Sequence, residues 1–161
     1  MWLASLHQLT RGSEFNHRID EVTWPVPLQE LHLGDEFNQP IDRVAWPASL
    51  RELEFGVYFT QPIHREAWPA SLRKMSLKVC FNQPMHGSTL PTSLQELIVG
   101  DTFQNMIVRV AWSASLENLT LDCGADKSAR QVVWPVPLQR LTVEGGFNRS
   151  IDHVAWPASL Q

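Results

Sequence analysis

Apolar residues in this chain follow two superimposed periods. Over a few residues they alternate: Leu53 and Phe55 flank Glu54, with Leu50 three positions before Leu53. The same arrangement returns every 22 residues as Leu28/Leu31/Leu33, Leu72/Met75/Leu77, Leu94/Leu97/Val99, Leu116/Leu119/Leu121 and Leu138/Leu141/Val143. A period of two marks a short strand with one face turned inward. The long period is carried by aromatic residues. Trp2, Trp24, Trp46, Trp68, Trp112, Trp134 and Trp156 keep one register, with Leu90 in the empty place. Phe15, Phe37, Phe59, Phe81, Phe103 and Phe147 keep another, with Ala125 in the gap. A fixed period of this length predicts a solenoid, since no single repeat can bury its apolar face alone. The expected fold is all-β: one short parallel strand per 22-residue turn, with little or no α-helix. Residues 1–161 form a single solenoid of about seven repeats.

The other half of each repeat excludes a regular helix. Proline follows tryptophan at Pro25, Pro47, Pro69, Pro135 and Pro157, and follows Leu90 as Pro91; a second row stands at Pro40, Pro62 and Pro84. Each proline removes a backbone donor and clashes with a preceding helical turn. The residue before it is driven toward extended geometry. An extended return segment or a 3₁₀ turn follows, with Ile41, Val44 and Trp46 inward. Gly12, Gly34, Gly56 and Gly100 follow the strands, where the chain must turn sharply. The column Asn16, Asn38, Asn82 and Asn148 predicts a ladder of side-chain amides that satisfies backbone groups of neighbouring turns.

With these residues in view, the unit FNQPIDRVAWPASLRELEFG at 37–56 resembles the FNIP repeat, a relative of the leucine-rich repeat. Phe37, Asn38 and Pro40 match the name-giving residues, while Gln39 stands where the family has isoleucine. The resemblance covers nearly the whole chain. It implies a leucine-rich-repeat-like β-solenoid that serves as a binding surface, and it brings no catalytic residue.

Two places break the pattern. Residues 123–131, CGADKSARQ, lose the phenylalanine, asparagine, proline and isoleucine together, and Trp112 is followed by Ser113 in place of proline. The loss favours drift of the repeat over a specialised contact loop. At the start, Arg11 takes a position held elsewhere by Leu33, Phe55 or Leu77. A charge is too costly for a packed core, so the first turn is expected to be open there, with Arg11 as a rudimentary cap. The last residues, Leu160 and Gln161, stand inside a strand motif, so a fragment or docked subunit without full caps is expected.

Charge and composition narrow the function. The formal net charge is −4 with both signs interspersed, unlike the basic stripe of a nucleic-acid binder. No apolar run reaches membrane-spanning length, and MWLASLHQLT does not have the form of a signal peptide. Cys80 and Cys123 lie about two turns apart, on the order of 10 Å, beyond the roughly 7 Å limit of a disulfide. Two free thiols are expected, compatible with an intracellular reducing compartment. No nucleophile elbow or phosphate-binding glycine loop is present, which argues against an enzyme, and no cofactor is implied.

The outward residues of the sheet form two columns: Thr10, His32, Glu54, Ser76, Ile98, Thr120 and Thr142, beside Gln8, Glu30, Glu52, Lys74, Glu96, Asn118 and Arg140. Of these, Glu30, His32, Glu52, Glu54, Lys74, Ser76, Glu96, Asn118 and Arg140 are the candidate partner-binding residues. Glu30, Glu52 and Glu54 suit a protein partner with a basic patch; a merely solvated polar face is the competing account. Asp42, His64 and His86 share a column on the return side and make a weak metal candidate, since their spacing comes from the repeat itself. The resulting expectation is a non-catalytic protein-interaction module. Its alternative is a structural subunit docked into a larger assembly, end to end or by self-association. Ice or carbohydrate binding is disfavoured by the mixed outward column and by tryptophans in a core-like register.

Overall fold

In the computed structural model of this chain, the described residues are 5–63, 67–85, 90–100, 110–122, 132–144 and 154–161. Among the described residues seven strands build the fold: β1 (Gln8–Thr10), β2 (Glu30–His32), β3 (Glu52–Glu54), β4 (Lys74–Leu77), β5 (Glu96–Val99), β6 (Asn118–Asp122) and β7 (Arg140–Glu144). They form one sheet in sequence order, every neighbouring pair parallel. The register equals the repeat: Leu9, Leu31, Leu53, Met75, Leu97, Leu119 and Leu141 are successive partners. The described residues include no helix.

The strands stop where the turn chemistry stops them. In β1 to β3 a glycine follows within two residues, and Phe15, Phe37 and Phe59 donate their N–H to the carbonyls of Gly12, Gly34 and Gly56. A Cβ at Gly34 would strike the carbonyl oxygen of Gly12, and one at Gly56 that of Gly34. Turns stack so closely here that no side chain fits. In the sixth and seventh repeats Asp122 and Glu144 hold the corresponding place, and β6 and β7 continue through them.

The core lies between the sheet and the return segments. Leu28, Leu50, Leu72, Leu94, Leu116 and Leu138 are fully buried, as are Phe37, Phe55, Phe59 and Phe81. Phenylalanines of successive turns stack: Phe15 on Phe37 and Phe37 on Phe59 at 6.0 Å, then Phe59 on Phe81 at 6.2 Å between centroids. Phe55 closes on Phe59 at 4.1 Å. The return side is built from tight turns: Val44 N–H bonds the carbonyl of Ile41, and Leu50 N–H that of Pro47, both at 3.0 Å. Ile41 and Val44 are buried as expected, whereas Trp46 is only half-buried. Trp24 and Trp134 are buried in the core, so depth varies along the tryptophan column. Trp46 stacks on Trp68 and Trp134 on Trp156, while Trp156 remains 40% exposed.

Polar ladders close the remaining backbone. Asn16 Oδ1 accepts from Asn38 N and Gln39 Nε2, and Asn38 Oδ1 accepts from Thr60 N, Thr60 Oγ1 and Gln61 Nε2. A second ladder, of serines, runs along the return side. Ser49, Ser71, Ser93 and Ser159 donate to the carbonyls of Leu28, Leu50, Leu72 and Leu138 in the preceding turn. Each hydroxyl supplies a donor to a carbonyl that has left the sheet. Arg11 is half-buried and packs its guanidinium over the Phe15 ring, 4.7 Å from the centroid.

Candidate interaction surface

Strand alternation turns every second side chain outward, and the in-register sheet aligns those side chains across turns. Gln8, Glu30, Glu52, Lys74, Glu96, Asn118 and Arg140 are successive partners in one column; Thr10, His32, Glu54, Ser76, Ile98, Thr120 and Thr142 in the other. All nine candidate residues thus lie on one continuous face. Ser76 differs from the rest in being only 6% exposed. It sits between the longer Glu54 and Ile98 and offers little surface.

The face is an ion-pair lattice rather than a bare acidic patch. Lys74 Nζ lies 3.9 Å from Glu52 and 3.4 Å from Glu96. Lys78 Nζ, reaching from beyond the end of β4, lies 2.6 Å from Glu54 and 3.9 Å from Asp35. His32 Nδ1 stands 3.3 Å from Glu54. These pairs are one-third or more open to water on at least one side, so each contributes little stability on its own. Their effect is to fix where charge sits, which serves selectivity. Lys78 escaped the sequence-based site because it lies outside the two strand columns. Its signal was available: it interrupts the column of Gly34, Gly56 and Gly100, which carries a charged side chain again at Asp122 and Glu144.

On the return side, Asp42 is exposed with Arg43 at 3.9 Å. His64 and His86 lie outside the described residues, as do Cys123 and the irregular segment 123–131. Cys80 is a free thiol. Arg18 grips Asp20 with two guanidinium nitrogens, Nε and Nη2 donating to the two carboxylate oxygens at 3.0 and 2.7 Å. That hydrogen-bonded pairing lowers the Asp20 carboxyl below its usual range and raises Arg18. The pair is a local clasp of the first return segment, remote from the sheet face. Among the described residues no helix is long and apolar enough to cross a membrane.

At the last turns, Val133 and Val136 are 79% and 87% exposed beside Trp156, and line an apolar depression with Trp134 and Pro157. The sequence marks this place faintly: Pro137 replaces the ladder serine, as Pro27 does beside the equally exposed Val26.

A one-strand-per-turn parallel sheet with aromatic and amide ladders defines a leucine-rich-repeat-like β-solenoid. Residues 15–56 match the family model of the FNIP repeat. The fold is similar, with a TM-score of 0.81 and 34% identity, to the crystal structure of CroV588, described as a novel circular LRR protein. The likeness covers 98% of this chain and 23% of that one. No curated protein matches. The chain is a leucine-rich-repeat-like repeat protein with an FNIP-repeat match over residues 15–56.

Proposed function

We propose that the chain is a non-catalytic protein-interaction module whose partner lies on the outward face of the sheet, across Glu30, His32, Glu52, Glu54, Lys74, Ser76, Glu96, Asn118 and Arg140. The observation that carries this reading is the pair of in-register columns, fixed by backbone bonds and patterned by the Lys74 and Lys78 ion pairs. A rigid face of defined charge loses little entropy on binding. Glu30, Glu52 and Glu54 favour a partner with a basic patch, which is neither nucleic acid nor membrane.

The test is a cross-linked pull-down from the native source, with wild type and with a Glu30→Lys/Glu52→Lys/Glu54→Lys variant of unchanged circular dichroism. Loss of one stoichiometric partner in the variant is expected. A second reading, a structural subunit docked end to end, is supported by the apolar depression beside Trp156 and by the likeness to a circular solenoid. Retention of the whole assembly by the variant, with cross-links near Trp156 and Leu160, would favour that reading instead.

A further inference from the structure

Beyond β1 to β4 the chain makes four turn tips, and these stack in register as the strands do. Glu36 N–H bonds the Ser13 carbonyl at 2.9 Å, Tyr58 N–H that of Asp35 at 3.0 Å, and Cys80 N–H that of Val57 at 3.0 Å. The tips read Ser13-Glu14, Asp35-Glu36, Val57-Tyr58 and Val79-Cys80. Along one ridge, acidic residues therefore occupy the first two turns and apolar residues the next two.

Several observations separate this ridge from scattered surface residues, which need no explanation. Tyr58, the only tyrosine of the chain, is 56% exposed and Val79 is 40% exposed, on adjacent turns. The residues that follow the tips are fixed by the Phe37–Phe59–Phe81 stack and, at Asn38 and Thr60, by the Asn16 and Asn38 amide bonds. Lys78 reaches Asp35 and Glu54, while neither Glu14 nor Glu36 forms an ion pair among the described residues. Successive turns are about 4.8 Å apart, so acidic and apolar parts lie within roughly 5–15 Å of each other by the same spacing.

We infer that this ridge is a second docking surface, which takes a protein segment carrying lysine or arginine beside a large apolar side chain. The basic residues meet Glu14, Asp35 and Glu36; the apolar residue packs on Val57, Tyr58 and Val79. Tyrosine is among the residues that most often dominate binding energy, and a pre-ordered surface keeps the ordering cost low. Opposite charge at one end fixes the direction in which the segment lies. The ridge is distinct from the sheet face, and either can hold without the other.

The probe is a phage-displayed library of random 12-residue peptides panned against the whole chain. Enriched peptides are resynthesised with a fluorescent label, and affinity is read by anisotropy. Enrichment of sequences joining basic and large apolar residues is expected. Their affinity should fall at least tenfold on a Tyr58→Ser/Val79→Ser variant and on a Glu14→Lys/Glu36→Lys variant, and should weaken with salt. All four positions are exposed, and unchanged circular dichroism confirms folding. A Glu30→Lys/Glu52→Lys variant should retain binding. Peptides that bind the ridge variants as well as wild type, or the absence of enrichment, overturn the inference. Loss only on the Glu30→Lys/Glu52→Lys variant overturns it too, while leaving the sheet-face reading in place.

Discussion

The smallest unit of this architecture is a side chain that repairs the backbone of the next turn. Asn38 is the clearest case, since its Oδ1 receives Thr60 N, Thr60 Oγ1 and Gln61 Nε2 at 3.0–3.2 Å. Asn38→Ala leaves the Thr60 N–H without that acceptor in a half-buried place. It should cost about 1–3 kcal/mol, measured by urea unfolding. Asn38→Asp should cost less, because a carboxylate still accepts from the same donors. The asparagine column was legible from its spacing alone. The serine column was equally regular in the sequence at Ser49, Ser71, Ser93 and Ser115, yet serine is too common in turns for its register to announce a role. Only the carbonyls of Leu28, Leu50 and Leu72 above it identify what those hydroxyls do.

At the scale of the element, each turn depends on the aromatic stack that crosses it. Phe59 is fully buried, touches Phe37 and Phe81 in the neighbouring turns, and closes on Phe55 within its own. Phe59→Ala should cost about 3–5 kcal/mol. Because solenoid stability is a sum of repeat and neighbour terms, the loss should also broaden the unfolding transition. Calorimetry checks this, and a uniformly shifted, equally sharp transition would count against independent repeats. The strands behave in the same local way. Glycine follows β2 and β3 where a Cβ would strike the preceding turn, and strands lengthen where Asp122 and Glu144 take its place. The tryptophans differ in depth although they share one register: Trp24 and Trp134 are buried in the core, Trp46, Trp68 and Trp112 are partly buried against it, and Trp156 is 40% exposed. Periodicity reports that residues are equivalent and says less about how deep they lie.

For the molecule as a whole, every strand pairs only with its sequence neighbours. In this 161-residue chain, protection against amide exchange should therefore peak in β3 to β5 and fall toward β1 and β7. Leu141 and Val143 of β7 are only half-buried, while Leu97 and Val99 of β5 are fully buried. Hydrogen-exchange mass spectrometry resolves this gradient; uniform protection would mean a single cooperative unit. The same linear plan explains the charge on the sheet face. Counted in sequence, Glu30, Glu52 and Glu54 give an acidic bias that Lys74 and Arg140 break. In space, Lys74 pairs with Glu52 and Glu96, and Lys78 adds a further positive charge against Glu54 from outside the columns.

Sequence alone determined the repeat length, the parallel single-strand turn, the inward and outward columns and the proline-bound return segment. All of these follow from periodicity and backbone restriction, which act within one repeat and are copied to the next. Tertiary structure decided the quantities that arise between repeats. Among them are the depth of each tryptophan, the burial of Ser76 between Glu54 and Ile98, and the reach of Lys78 across two turns. The ridge of Glu14, Glu36, Tyr58 and Val79 belongs with them. Its residues are unremarkable in any one repeat and become a surface only when backbone bonds stack four turn tips into line.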